Sequence, residues 1–237
     1  MVGIKKLEVS ISIDGKEVEL GELVQDKKKI YFKYASNFIA SGLEISPFKM
    51  KLSNAILSAE TSPFNGLFGV FNDSLPDGWG QLLLDRTLIS RGTLLNQITP
   101  LDRLAYVGSK GMGALIYKPA IVSEYEYVND IALDTIANNM NQVIAGASNE
   151  VLEELFNLGG SSGGARPKIF VGYHPITGDL IHGVENLPEG YEHWIIKFPA
   201  AIDPIDIANI EYAYYKMALD AGIEMNPCKL FSGKSGK

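Results

Sequence analysis

Apolar and polar residues alternate along the first part of the chain. The runs KLEVSISI, EVEL and KKIYFKYA follow one another, and the turn DGK lies between the first two. A period of two is typical of strands with one buried face, and Asp14-Gly15 favours a tight hairpin turn. The pattern therefore predicts a three-stranded antiparallel start over residues 5–34.

Two helices and a closing strand are predicted before residue 120. The stretch LPDGWGQLLLDRTLISRG predicts a helix capped by Asp77, and TPLDRLAYVG predicts a shorter one with Thr99 as its N-cap and Pro100 at its first position. The apolar side of the longer helix is predicted to consist of Leu82, Leu83 and Ile89. The segment GALIYKPA is predicted to be a strand that closes this first unit.

The second half of the chain changes to a helical period and then returns to strands. Two helices are predicted in NDIALDTIANNMNQVIAG and NEVLEELFNLGG, followed by the glycine-rich segment GGSSGGARPK and the strands KIFVGY and HWIIKFP. A further helix is predicted with Asp203 as N-cap and Pro204 at its first position, ending at Gly222. The order is helix, glycine loop, strand, strand, helix.

These elements predict an α+β protein. We expect an antiparallel N-terminal β unit with helices over residues 1–120, a linker and helix over 121–148, and a third part over 149–237. A glycine loop, a strand that carries a lysine and a capped helix occur in this order in a kinase-type small lobe. The third part is therefore predicted to be a partial protein-kinase-like small lobe.

Composition narrows the classes of function. A net charge of −7 disfavours direct binding to a nucleic-acid backbone, so any nucleic-acid role is expected only indirectly, through a partner. The chain has one cysteine, Cys228, which excludes an internal disulfide. One cysteine and three histidines offer few metal ligands, so catalysis by a bound metal is not expected. No apolar stretch is long enough for a membrane span and no signal peptide is evident, so we expect a cytoplasmic protein without a membrane role.

Two readings of the glycine-rich segment and of the lysine that follows it remain open. Six glycines and serines in a row suit either a flexible tip or a loop whose N–H groups bind phosphate. Lys197 can hold its head in water at a strand edge, or it can neutralise nucleotide phosphates. In the second reading Glu211 is the candidate carboxylate partner of the lysine, although a solvent-facing Glu211 fits the spacing equally well.

Several of these segments together resemble the HipA family of bacterial serine/threonine kinases, the toxins of HipBA-type toxin–antitoxin systems. The similar segments are GGSSGGARPK, HWIIKFP and IEYAYYKMALDAGI in the second half, and FNDSLPDGWGQLLLDR and LDRLAYVGSKGMGAL in the first. The resemblance implies phosphoryl transfer from ATP-Mg to a protein serine or threonine hydroxyl. It also implies an antitoxin partner.

The resemblance further implies roles for individual residues. Lys197 would bind the nucleotide phosphates, and Ser161, with its neighbour Ser162 as a competing candidate, would be autophosphorylated. Glu211 lies where the family has a helix that bears a carboxylate. The ATP-phosphate loop would consist of Gly163, Gly164, Ala165, Arg166, Pro167 and Lys168.

The family's catalytic aspartate and metal-binding aspartate belong to a helical lobe that would follow residue 237. We therefore expect no catalytic residue and no metal ligand in this chain, with the Mg ligands in that lobe, and read the chain as a truncated or partial kinase. One alternative is a non-catalytic binding module that contacts an antitoxin or a separately encoded kinase lobe. Another is an α+β interaction module whose glycine loop is only a flexible tip.

Overall fold

A computed structural model describes residues 3–111, 113–121, 131–146, 151–159, 164–182, 187–200 and 202–231. The strands are β1 Lys6–Ile13, β2 Lys16–Asp26, β3 Lys29–Tyr34, β4 Leu57–Ser58, β5 Leu115–Lys118, β6 Lys168–Tyr173, β7 Leu180–His182 and β8 Glu192–Lys197. The helices are α1 Ser36–Ser41, α2 Gly69–Asn72, α3 Gly78–Ser90, α4 Pro100–Val107, α5 Leu133–Ile144, α6 Leu152–Gly159 and α7 Ile207–Asp220. Helices and antiparallel sheets are combined, which confirms the predicted α+β class.

The chain forms two compact units. The first contains residues 1–126 and 152–164, and the second contains residues 127–151 and 165–237. Helix α6 and Gly164 thus belong to the first unit, whereas α5 belongs to the second. The domain boundaries expected from the sequence, near 120 and 148, stay a prediction.

The first unit is built on a five-stranded sheet in the order β4-β3-β2-β1-β5, with all neighbouring strands antiparallel. Asp14 and Gly15 both have positive φ, as the two central residues of a tight hairpin turn require, and Ile13 pairs with Lys16 across it. The predicted three-stranded start is therefore confirmed, and β5 closes the sheet against β1 as the sequence predicts.

One glycine of this sheet is required by a close backbone approach. Gly21 lies opposite an irregularity in the register between Val9 and Ser10, and its φ is +154°. A side chain at this position would place its Cβ 2.2 Å from the backbone oxygen of Lys33. Only glycine fits there, because the obstacle is main chain and cannot rotate away.

The core of the first unit lies on one face of this sheet. Leu7, Leu23 and Phe32 are fully buried or nearly so on the strands, and Phe71 and Leu104 pack against them from α2 and α4. Each fully buried side chain of this size contributes about 1.5–3 kcal/mol relative to an exposed one. Hydrophobic burial therefore fixes the sheet and these helices as one body.

Helices α3 and α4 differ in how well the sequence predicts them. Thr99 caps α4 as expected, and its reciprocal bonds with Asp102 form a capping box. The predicted apolar side of α3 is wrong in part, because Ile89 is 46% exposed and Leu82 is only half-buried. The residues of α3 that are buried include Leu83, Leu84 and Leu88.

The second unit contains a three-stranded antiparallel sheet in the order β7-β6-β8. Its two faces are unequal, since Ile169, Val171 and Ile196 are buried on one face, whereas Ile195 on the other is 47% exposed. Strand alternation places Lys197 on the same face as Ile195. The lysine therefore lies on the more exposed face of the sheet, which is called the open face below.

Helix α7 begins later than expected. Its N-cap is Asp206 and its first residue is Ile207, so Asp203 and Pro204 are not its N-cap and first position. Asp203 closes a turn instead: it accepts the N–H of Ala200 on its side chain at 2.8 Å and donates its own N–H to the oxygen of Ala200 at 2.9 Å. Aspartate favours such turns for the same reason that it favours caps.

Among the residues that the structure describes, no helix combines the length and the apolar character needed to cross a membrane.

Candidate functional site

The described part of the glycine-rich segment begins at Gly164. Gly164, Ala165 and Arg166 are exposed, and Pro167 is buried, with its carbonyl oxygen accepting the N–H of Phe198 at 2.9 Å. The segment leads directly into β6, whose first residue is Lys168. The predicted phosphate-loop residue Gly163 and the predicted autophosphorylation residues Ser161 and Ser162 lie outside the described residues.

Two lysines meet at the start of the open sheet face. Lys168 on β6 lies directly opposite Lys197 on β8 in the antiparallel register. Side chains opposite each other in such a ladder have Cβ atoms about 4.5–5.5 Å apart, and like charges there repel. The register thus brings two lysine side chains to the same end of the sheet.

An apolar pair lies next to the two lysines. Phe170 is opposite Ile195 in the register, two residues along each strand from Lys168 and Lys197. Alternation places all four side chains on the same face. The open face therefore offers positive charge at one end and apolar surface beside it.

Glu211 on α7 connects Lys197 to the glycine-rich segment. Its Oε2 lies 3.2 Å from Nζ of Lys197, and its Oε1 accepts a hydrogen bond of 3.2 Å from Nη1 of Arg166. The structure thus brings together three residues that the sequence singled out. All three side chains remain between 41% and 58% exposed, so water and solutes can reach them.

The shortest hydrogen bonds of Arg166 are to Asp203, which the sequence predicted to be the N-cap of α7. Its Nε and Nη2 donate to both carboxylate oxygens of Asp203, at 3.0 and 2.8 Å, and the Asp203 side chain is only 5% exposed. These bonds, with the N–H of Ala200 as the second cause, hold the pKa of Asp203 below its usual value. The fork of the guanidinium is matched to a carboxylate in this way.

The partnership of Asp203 with Arg166 was missed because the dipeptide Asp203-Pro204 is also the pattern of a helix start. The two partners are 37 positions apart. The chain between them forms the three strands β6, β7 and β8, so local spacing carries no information on the pair. No signal within a local stretch of the sequence indicates this pair.

Gly164 is held within the first unit. Its N–H donates to Oδ1 of Asp77, and its carbonyl oxygen accepts the N–H of Trp79 at 3.1 Å. Asp77 is the N-cap residue of α3, as predicted, yet its side chain makes no capping bond to that helix. The sequence predicted this aspartate as a cap and gave no indication of its bond to the glycine-rich segment.

The described residues contain no group of three or more histidine, cysteine, aspartate or glutamate side chains that could hold a metal ion. Cys228 is exposed and not in a disulfide. The charged cluster of the second unit consists of Lys168, Lys197, Arg166, Glu211 and Asp203.

Two family models match the chain, one in each half. Residues 11–118 match the HipA N-terminal domain, and residues 160–237 match the HipA-like C-terminal domain. No curated protein matches the chain. The two matched segments follow each other in this order and cover most of the sequence, including the glycine-rich segment, Lys197 and Glu211. The chain therefore belongs to the HipA-like family, as the resemblance of its motifs predicted.

Proposed function

We propose that this chain binds the phosphates of ATP-Mg with the open face of its second unit, as the nucleotide-binding part of a HipA-like serine/threonine protein kinase. The second unit then corresponds to a partial kinase-like small lobe. The observation that carries the proposal is the double contact of Glu211, which holds Lys197 beside Arg166 of the glycine-rich segment. A lysine held by a helix carboxylate beside such a segment is the arrangement that protein kinases use at nucleotide phosphates.

The charge and shape of the open face support a nucleotide as the ligand. Lys168 and Lys197 lie directly opposite each other in the ladder, so both ammonium groups can donate to the phosphate oxygens of one ligand. Phe170 and Ile195 offer an apolar surface of the kind on which a flat base packs. A ligand with charged phosphates at one end and an aromatic ring at the other fits both features.

Bound ATP would supply the phosphoryl group, and the residues of this chain would hold and neutralise it. Lys197 would donate to phosphate oxygens while Glu211 keeps its side chain oriented. We assign no catalytic base and no Mg ligand to this chain, and phosphoryl transfer to a protein hydroxyl is proposed for the kinase of which it is part. Autophosphorylation at Ser161 or Ser162 is part of the same proposal.

Calorimetric titration of ATP-Mg into the full 237-residue chain tests the proposal. Lys197→Ala removes a charged donor, and bonds to charged groups are worth about 1.5–3 kcal/mol, so affinity is expected to fall by about 10- to 100-fold. Lys216→Ala is the matched control, because it removes the same charge from an exposed residue of the same helix. Lys216 follows Glu211 by five residues, which places the two side chains on different sides of α7. No ATP binding by the unaltered chain, or equal affinity in both variants, would overturn the proposal.

Exposed apolar side chains in the second unit favour a further function, contact with a protein partner. Ile202, Ile205, Tyr214 and Met217 are all more than 60% exposed on or beside α7. Large apolar patches on a protein surface mark interaction sites. The partner proposed from family membership is an antitoxin, or a separately encoded kinase lobe, and Met217→Asp is expected to abolish co-purification with whichever of the two binds here.

A further inference from the structure

Asp203 is nearly enclosed, in contrast to the residues around it in the charged cluster of the second unit. Its side chain is 5% exposed, whereas those of Arg166, Glu211 and Lys197 are between 41% and 58% exposed. Its Oδ2 accepts the N–H of Ala200 at 2.8 Å as well as a hydrogen bond from Arg166. The turn that begins at Ala200 therefore holds this carboxylate against the guanidinium of Arg166.

The guanidinium of Arg166 divides its donors between two carboxylates. Nε and Nη2 form one edge, and each donates to a different oxygen of Asp203, at 3.0 and 2.8 Å. Nη1 donates to Oε1 of Glu211 at 3.2 Å. The other oxygen of Glu211, Oε2, lies 3.2 Å from Nζ of Lys197. Glu211 is therefore shared between the two cations, with one oxygen for each.

This sharing depends on the occupation of the Nε and Nη2 edge. A guanidinium pairs best with a carboxylate when two of its donors reach both oxygens. Without the Asp203 carboxylate, the two-donor edge of Arg166 could turn to Glu211 and take up Oε2 as well as Oε1. Lys197 would then lose the carboxylate that orients it.

We propose that Asp203 is a positioning residue for nucleotide binding, which occupies the two-donor edge of Arg166 and so leaves one oxygen of Glu211 to Lys197. The inference rests on the proposed function, in which Lys197 donates to phosphate. It adds the residue that keeps the partner of this lysine available. Asp203 does not touch the nucleotide itself, and all four residues belong to the second unit.

The first experiment follows Lys197 in the full chain without nucleotide. A carboxylate partner favours the charged form of a lysine, which an acylating reagent does not attack. Labelling with acetic anhydride, resolved by peptide mass spectrometry, should therefore modify Lys197 about two- to fivefold faster in Asp203→Asn than in the unaltered chain. Asp206→Asn is the matched control and should leave the rate unchanged, because it removes the same charge from an exposed residue nearby that makes no capping bond to α7.

A second variant separates competition by Arg166 from damage to the turn. Asparagine keeps the size of the Asp203 side chain, an acceptor for the N–H of Ala200 and the preference for such turns. In the double variant Arg166→Gln/Asp203→Asn no guanidinium competes for Glu211, so the labelling rate of Lys197 should return to that of the unaltered chain. A rate that stays high in the double variant, or one that does not rise in Asp203→Asn, would overturn the inference.

Calorimetric titration of ATP-Mg tests the consequence for binding. Affinity should fall about three- to tenfold in Asp203→Asn, and by less than about twofold when Lys197 is already alanine, because the effect acts through that lysine. Equal losses in both backgrounds would overturn the positioning role. An unaltered chain that binds no ATP overturns the proposed function and the nucleotide role of Asp203 with it, whereas the labelling rates still decide whether Asp203 keeps Glu211 with Lys197.

Discussion

Glu211 offers the sharpest test of how the open face is organised, because its two carboxylate oxygens have different partners. Glu211→Gln removes the charge and keeps the size of the side chain. The contact with Lys197 joins side chains that are 58% and 41% exposed. Exposed ion pairs contribute about 0.2–1 kcal/mol. The free energy of unfolding is therefore expected to change by less than about 1 kcal/mol through this contact.

The effect on ATP affinity should be larger than the effect on stability. Without the carboxylate, Lys197 must be ordered at the moment of binding, and fixing a lysine side chain costs up to about 2 kcal/mol of rotamer freedom. Glutamine still offers one acceptor oxygen, so part of the orientation is retained. We expect ATP-Mg affinity to fall by about three- to tenfold, with Glu224→Gln as a control on an exposed glutamate.

A double-mutant cycle identifies the partner through which Glu211 acts. If Glu211 orients Lys197, Glu211→Gln should have little further effect on affinity in the Lys197→Ala background. An effect of equal size in both backgrounds would assign the role to the contact with Arg166. Unchanged affinity in Glu211→Gln, together with normal thermal unfolding, would refute the reasoning that Glu211 prepares Lys197 for phosphate.

Two further predictions concern stability. A Cβ at Gly172 would lie 2.7 Å from Cδ2 of Leu187 and 2.8 Å from Cγ1 of Ile181. Gly172→Ala should therefore cost about 1–3 kcal/mol of stability through overpacking and lower the denaturant midpoint. Gly113→Ala, which has open space around it, should leave the midpoint unchanged, and equal midpoints in the two variants would contradict the packing argument. Because bonds from Arg166 lower the pKa of folded Asp203, the stabilisation that they give is present above the unfolded pKa of about 3.9 and is lost as pH falls through the lower folded pKa. Unfolding measured from about pH 6 down to pH 3 should therefore show a steeper loss in the unaltered chain than in Asp203→Asn, and parallel curves would contradict this assignment.

The parts of the structure that follow from local patterns were predictable from the sequence. Asp14-Gly15 specifies a turn whose φ values few other residues adopt, and the alternation on either side specifies the register of β1 and β2. Thr99, Pro100 and Asp102 specify the start of α4 in the same local way. Each of these signals is complete within about ten residues.

The misplaced features are those whose outcome depends on distant parts of the chain. The buried side of α3 is determined by the helices and strands against which it packs, and an amphipathic pattern with several leucines allows more than one side. Asp77 and Asp203 are both residues that favour caps and turns. Their hydrogen bonds to Gly164 and Arg166 span 87 and 37 positions, and no local rule indicates such partners.

Arg166 and Lys197 are held differently, and we expect them to have different roles in the site. Arg166 donates three hydrogen bonds to Asp203 and Glu211. Its guanidinium would have to break these bonds in order to bind a phosphate, so it is a poor candidate for that role. Among the residues that the structure describes, Lys197 contacts one carboxylate, the partly exposed Glu211, and a lysine ammonium has three donors, so it can keep Glu211 and still donate to phosphate. We therefore expect Arg166 to fix the exit of the glycine-rich segment and Lys197 to neutralise the nucleotide.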